Sequence, residues 1–492
     1  MLSVTTRQKL PTAAPVGRRA ARRFLPRLHP AVVVIACAAS ALVREAMHSG
    51  LSGDVFYELA AGRWMLSHHA ILRHDIFTYT VADRPWLDEE WGFQVLLSWL
   101  VAHVGPISYW LASAGACVLA VVASVALWRR SGAGWLWAGA LSALAAAGLS
   151  VGLAPRPQDL SYLFFALLLL LLHLARQCPR WLVAVPVLML AWANLHGSFL
   201  LGLAVVTLEL GWLLLGARSP TRHKVQFAAC LVASVLFSFV NPAGPRLLAY
   251  AFSVSTSPAL GSIAEWQSPN FHVPLFLVVI AGPILLLAAA LAFAKTSLQA
   301  FHALLALALF VATLHAVRFA PYFDLAACAA LAPWRPFGHE SLQPRLLTAP
   351  AAAALSAALV VGPHVPPGAT QASGALGSPV AATNFLAHQD GRSFSTYWWG
   401  DYLDYRGVRV FVDGRTDLYF GTNVLSAYTA VSELKLSPDK VFTRWHVRWV
   451  MWPTQTALGT YLAHDPLWAK VFQAQGAVVF ERRSTTGKAS FK

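Results

Sequence analysis

The sequence predicts a polytopic α-helical membrane protein with a small α/β domain outside the membrane at its C-terminus. Two observations carry this. The 492 residues are 57% hydrophobic and only 12% charged, with a mean hydropathy of +0.55, a composition of membrane rather than soluble chains. From about Ala381 the long apolar runs give way to short alternating stretches such as "VRVFVDGR" and "GAVVFERR", broken by Gly and Asp turns.

The chain opens with Arg7, Lys9, Arg18, Arg19, Arg22, Arg23 and Arg27 ahead of an apolar run from about Ala31. This reads as a basic cytoplasmic arm over 1–29 and a first, uncleaved span. A span needs roughly 20 apolar residues. Candidates begin near residues 30, 107, 135, 159, 181, 198, 224, 273, 297, 316 and 346, about eleven in all, giving a membrane domain over 30–362. The shorter run Trp91–Val104 carries His103 and is read as part of an interfacial helix at about 87–104. With that helix lying flat, the basic gaps at Arg129–Arg130, Arg176–Arg180, Arg218–Lys224, Lys295 and Arg335–Arg345 all face the cytoplasm. The formal charge of +15 is thus spent on topology, and a nucleic-acid partner is excluded. The five cysteines lie in or beside apolar runs, so no disulfide framework is readable.

This topology sends most acids outward. The outer face receives the loop 48–106, "PRPQDLS" (155–161), "NLHGS" (194–198), "IAEWQSPNF" (263–271) and "HAVRF" (315–319). Residues 363–380 are rich in Gly, Pro, Ala and Ser and read as a linker. Residues 381–492 form the outer α/β domain, with "NFLAHQ" and "DPLWAKVF" as short helices.

In the first outer loop, Phe56, Leu59, Ala60, Trp64 and Met65 recur at helical spacing. They predict an amphipathic helix lying on the membrane, with Asp54 at its start either as a cap or as a functional acid. Asp88, Glu89 and Glu90 open the interfacial helix. A solvated first turn accounts for two of them, leaving one to face inward as an acidic contact.

The stretches "GDVFYELAAGRWML…DIFTYT…RPWLDEEW", "RPQDLS", "WANLHGSFLLG", "EWQSPNF" and "FVDGRTDLY", with the order of spans and outer loops, resemble a bacterial multi-span group within the C-type (GT-C) membrane glycosyltransferases. That superfamily includes polyprenyl-phosphate-dependent mannosyl- and arabinosyltransferases and the catalytic subunit of oligosaccharyltransferase. The resemblance implies a polyprenyl-phosphate-linked sugar donor, a glycan, lipid or protein acceptor, and the inner membrane of a bacterium, with the N-terminus inside. It also implies that the first-loop acid, here Asp54, is a general base or metal contact. The chain departs from the pattern: Asp54 lacks an adjacent acid, and no second DxD-type motif occurs in a later outer loop. A divalent metal is therefore left open.

Inverting transfer from a lipid phosphate needs a base for the acceptor proton and positive charge on the phosphate. Arg156, His196 and Arg318 are expected at one depth, at the outer helix ends. The arginines would hold phosphate, or else snorkel to lipid headgroups. Asn194 and His196 would contact sugar hydroxyls or close a tight turn. Glu265 beside Trp266 reads either as a sugar grip or as a structural loop acid. Asp413, Arg415 and Asp417 are read as an internally paired turn rather than a metal site. Tyr397, Trp398, Trp399 and Tyr402 form an aromatic shelf for carbohydrate or for packing. Asp324 is expected to pair with Arg318. Two rivals remain: a transporter or flippase of a lipid-linked glycan, and a non-catalytic assembly subunit.

Overall fold

A computed structural model describes residues 30–48, 54–216, 220–257, 263–293, 298–336, 379–474 and 476–483. The basic arm, the start of the first outer loop, the eleventh expected span near residue 346 and nearly all of the expected linker lie outside the described residues.

Thirteen helices make up the described part of the bundle and its outer loops. They are α1 (Pro30–His48), α2 (Asp54–His68), α3 (Trp91–Val104), α4 (Ser108–Arg130), α5 (Trp135–Ser150), α6 (Gln158–Gln177) and α7 (Ala184–Ala193). Then come α8 (Phe199–Leu215), α9 (Thr221–Ser238), α10 (Arg246–Ser255), α11 (Pro274–Phe293), α12 (Ala300–His315) and α13 (Ala320–Leu331). Among the described residues, α4, α6 and α11 are long and apolar enough to cross a membrane; several others are apolar but shorter.

Helix α13 is the axis of the bundle, with every residue from Ala320 to Leu331 buried. Its sequence, "APYFDLAACAAL", is mostly small side chains, which let α4, α5, α6 and α12 approach closely. Asp324 sits in that axis with neither carboxylate oxygen hydrogen-bonded, against Gly148 of α5, where a side chain would collide with it. The expected Asp324–Arg318 pair does not form. Arg318 lies in a separate 3-10 turn, Val317–Phe319, and the helical repeat starts afresh at Ala320, so the two residues never share a face.

The tail builds a four-stranded sheet from β1 (Arg392–Ser395), β2 (Val447–Pro453), β3 (Trp468–Ala474) and β4 (Ala477–Arg482). The order is β1-β2-β4-β3, with β1 parallel to β2 and the other pairs antiparallel. Short helices α14 (Val380–Leu386), α15 (Tyr397–Tyr405), α16 (Val424–Ser432), α17 (Pro438–Arg444) and α18 (Ala457–His464) surround it.

This domain is fused to the first outer loop. Tyr79 N–H donates to Val410 O at 3.2 Å and Val410 N–H to Phe77 O at 3.1 Å. Met65, Leu72, Tyr79 and Trp86 of the loop share one apolar core with Phe394, Phe411, Phe442 and Trp452 of the tail. Helix α2 is consequently packed by protein on more than one side. Val55 to Gly62 are all buried, because α3 covers one side and α15 the other. Ring packing of Phe56 on Tyr402, with centroids 4.9 Å apart, sets this contact. The aromatic shelf is therefore partly spent on packing; Trp398 remains exposed.

Candidate active site

Where one set of helix ends meets the tail, a cleft of ≈ 190 Å³ opens. The first outer loop contributes Asp54, Tyr57, Glu58, Glu89 and Glu90; the bundle contributes Arg156, His196, Glu265 and Arg318; the tail contributes Gly414, Thr416, Asp417 and Phe420.

Each side chain arrives by a local cause. Asp54 is the first residue of α2, where an acid faces unpaired N–H groups. Arg156 directly precedes α6. Glu265 rides on the short turn Ala264–Trp266, and Val317 N–H donates to Gln267 O at 2.9 Å, which binds this turn to the one carrying Arg318. The arginine Cζ then lies 4.3 Å above the Trp266 ring. Trp266 thus orients Arg318 and is not itself part of the cleft wall.

The charges form a chain. Arg156 Nη1 lies 2.9 Å from Glu265 Oε2 and 3.8 Å from Asp54 Oδ2, and Arg318 Nη1 lies 3.8 Å from Glu265 Oε1. Burial alone would raise the Glu265 carboxyl, but Arg156 and Arg318 outweigh it and hold the group below its ordinary range. Burial likewise works against the Arg156 cation, and Glu265 and Asp54 outweigh it.

Opposite the arginines lies an acidic wall. Burial lifts Glu90 to about 7; a hydrogen bond with Glu58 holds it down, and Asp54 and Asp417 push it further up. Glu58 is itself pushed up, first by burial and then by Glu90. Burial also raises Asp417, with Tyr250 Oη donating to its Oδ2 at 2.5 Å. Burial, Arg318 and Arg156 push His196 down to about 3, so its ring is neutral near pH 7. Ser198 N–H donates to Nδ1 at 3.2 Å, which places the ring proton on Nε2, 3.5 Å from Glu90 Oε1. That contact joins a neutral ring to an acid and is not an ion pair.

The structure thus brings Asp54, Glu89, Glu90, Arg156, His196, Glu265 and Arg318 around one cleft. Two other candidates do structural work. Asn194 Oδ1 accepts from Trp91 Nε1 at 3.1 Å, and its amide donates to Leu190 O and Val240 O, fastening α3 to the α7–α8 turn. Asp88 Oδ1 accepts from Glu90 N–H at 3.1 Å and Gln94 Nε2 at 3.0 Å, holding the turn that leads into α3. Two of the three successive acids therefore face inward, not one. Glu89 can do so because residue 197 is Gly: a Cβ there would stand 2.7 Å from Glu89 Oε1.

Sequence reasoning missed Glu58 and Thr416, and it assigned Asp417 to an internally paired turn, whereas Asp417 lines the cleft. A signal for Glu58 existed, since it sits one helical turn after Asp54. Among the described residues, no three acidic or histidine groups of the cleft bring ligand atoms within 4.8 Å of one another. A metal there would need water or substrate oxygens beside one or two of these carboxylates.

The chain shares its fold with solved oligosaccharyltransferase and ArnT structures. It superposes on the oligosaccharyltransferase of Archaeoglobus fulgidus in its apo form with a TM-score of 0.55 at 12% identity, over 90% of this chain and 71% of that one. The A. fulgidus oligosaccharyltransferase AglB in complex with an inhibitory peptide and a dolichol-phosphate gives 0.53 at 13%, over 86% and 69%. ArnT from Cupriavidus metallidurans bound to undecaprenyl phosphate gives 0.54 at 15%, over 93% and 99%. No protein-family model and no curated protein matches the sequence.

Proposed function

We propose that this protein is an integral-membrane glycosyltransferase that moves a hexose or pentose from a polyprenyl-phosphate donor to an extracytoplasmic glycan, lipid or protein acceptor, with inversion. The proposed setting is a bacterial inner membrane crossed about eleven times, N-terminus inside and C-terminal domain outside. One observation carries the reading: a carboxylate, Asp54, and two arginines, Arg156 and Arg318, converge on one cleft at the outer ends of the helices.

In this scheme the acceptor hydroxyl gives its proton to the Asp54 carboxylate as its oxygen bonds to the anomeric carbon. The bond from that carbon to the phosphate oxygen breaks, and the polyprenyl phosphate leaves with the electron pair. Arg156 and Arg318 stabilise the charge that develops there. Glu265 bridges the two arginines in the resting cleft and keeps both guanidiniums aimed inward until the phosphate joins them. Neutral His196 donates from Nε2 to the acidic wall or to a sugar hydroxyl. Two neighbours of the same fold are bound to dolichol-phosphate and undecaprenyl phosphate, which supports a lipid-borne donor here. A non-catalytic subunit would not need acids and arginines gathered on a shared cavity. A transporter would gather its ionisable groups near mid-membrane, where Asp324 stands without an ionic partner.

The test is Asp54→Asn in proteoliposomes supplied with labelled polyprenyl-phosphate sugars. Turnover should fall roughly 10²- to 10⁴-fold while the variant keeps its unfolding temperature. Full turnover in a correctly folded variant rules out the general-base role.

A further inference from the structure

Behind the cleft wall, separated from it by the Gly414–Asp417 turn, lies a second group of acids. One ligand oxygen each from Asp401, Asp404 and Asp413 falls within 4.8 Å of the others, and all three residues are buried. We propose that Asp401, Asp404 and Asp413 form a structural site for a divalent cation of the calcium class, which ties α15 to the turn forming the tail side of the cleft. This inference does not rest on the glycosyltransferase reading.

The state of the oxygens points to a ligand. Both carboxylate oxygens of Asp404 are buried with no hydrogen-bond partner, in a residue only 4% exposed. Asp401 Oδ1 accepts from Gly414 N–H at 2.6 Å, while its Oδ2 is buried and unpartnered. Buried polar atoms are almost always satisfied, and three orphaned oxygens at one spot call for an explanation.

Charge points the same way. Asp75, Asp401, Asp404 and Asp413 are all buried, and Arg415 is the cation among them. Two of its guanidinium nitrogens are committed: Nη2 lies 2.6 Å from Asp75 Oδ1 and 2.5 Å from Asp413 Oδ2, and Nε reaches both Asp413 oxygens at 3.2 and 3.1 Å, while Nη1 is buried without a hydrogen bond. Among the described residues Asp401 and Asp404 form no salt bridge, and Arg415 reaches them only at longer range. Ionised carboxylates do not persist in such burial without a counter-charge.

The donor set selects the ion. Three aspartates offer hard oxygens only, which suits calcium or magnesium and not zinc or copper. Magnesium keeps several waters, and this spot is closed; calcium accepts carboxylate oxygens in an irregular shell. Asp413 would be shared between the cation and Arg415, and the two positive groups repel across it. Affinity is therefore expected in the range of extracellular calcium modules, about 10⁻⁴–10⁻³ M. Gly414 is what lets Asp401 come so near the turn, since a Cβ there would stand 2.9 Å from both its carboxylate oxygens.

The experiment uses the full chain in detergent, stripped with chelator and then titrated with CaCl₂ or MgCl₂, reading thermal unfolding and bound metal. Calcium should raise the unfolding temperature by about 3–6 °C, with one equivalent retained, and magnesium should do less. Asp404→Asn and, separately, Asp401→Asn should abolish the response. Asp54→Asn, whose loss of turnover tests the cleft alone, should keep it, which excludes the cleft as the ion's place; if both other variants fail to fold, the wild-type response and its bound equivalent remain the test. A wild-type chain that neither retains nor responds to either ion overturns the proposal, which then gives way to protonated acids. A response that survives in Asp404→Asn, or is lost in Asp54→Asn, overturns it as well, since the ion would then sit elsewhere.

Discussion

Two arginine–carboxylate clusters, one around Arg415 and one around Arg156 and Arg318, are built differently. Around Arg415 the side chains are sealed, 0–1% exposed, and the arginine is gripped from two sides at 2.5–3.2 Å. Around Arg156 and Arg318 they are 18–29% exposed, and of the three contacts only the one at 2.9 Å is a hydrogen bond. The first cluster stitches the tail (Asp413, Arg415) to the first outer loop (Asp75), whose other bonds reach Phe77 N–H and Thr78. The second leaves coordination capacity unspent beside a cavity. A tightly gripped ion pair sealed from solvent is scaffold; a partly exposed one beside a hollow is available to a ligand.

The comparison breaks most visibly if the sealed arginine is removed. Arg415→Met strands Asp75 and Asp413 in a dry interior, and should destabilise the fold by about 3–5 kcal/mol. Phe77 and Trp86, which stack against the guanidinium at 5.0 and 4.7 Å, lose their partner as well. Unfolding followed in detergent should show a large fall or no folded protein. A variant as stable as the parent would mean that the scaffold assignment is wrong.

How much of this was legible beforehand follows from the range of each signal. Asp54, Arg156, His196, Glu265 and Arg318 stand at the edges of apolar runs, and the basic gaps assign those edges to one side of the membrane. Co-location at one depth could be read from that sorting alone. What could not be read was direction and partner. Asn194 and His196 are two residues apart in one turn, yet one fastens α3 and the other faces the cleft. Helix α2 has the pattern of a surface helix on one side, but its remaining side chains are buried by a tail some 340 positions later, and no local periodicity reports that. Asp417 entered the cleft by the same long-range contact. The Asp413–Arg415 pair was legible because it is local; Asp75, 340 residues away, was not.

A subtler division concerns pH. Glu90 is lifted to about 7 from the ordinary 4.5, so the folded chain holds a proton that the unfolded chain has already released between these values. Stability therefore falls as pH rises from about 4.5 to about 7 and levels off above. Glu90→Gln removes that dependence while keeping the shape of the wall. Unfolding temperatures measured from pH 5 to pH 8 should slope downward less in the variant, by an amount on the order of 1 kcal/mol across the window. Parallel slopes for the two proteins would mean that Glu90 is ionised throughout and that the acidic wall carries more charge than its burial allows.

The smallest effect, and the sharpest for the open cluster, comes from Glu265. Glu265→Gln removes the resting counter-charge between Arg156 and Arg318 without removing either arginine. Because the group is 29% exposed and held by contacts of 2.9 and 3.8 Å, its loss should change stability by less than about 0.5 kcal/mol. The consequence for binding runs in the other direction. An anion entering the cleft no longer competes with a resident carboxylate, so inorganic phosphate should inhibit roughly two- to threefold more tightly, and the effect should shrink with added salt. Were Glu265 instead a grip on the sugar or acceptor, the same variant would lose turnover with no gain in phosphate inhibition. Were it a structural loop acid, the unfolding temperature would drop by several degrees, as in the sealed cluster, and the contrast between the two sites would disappear.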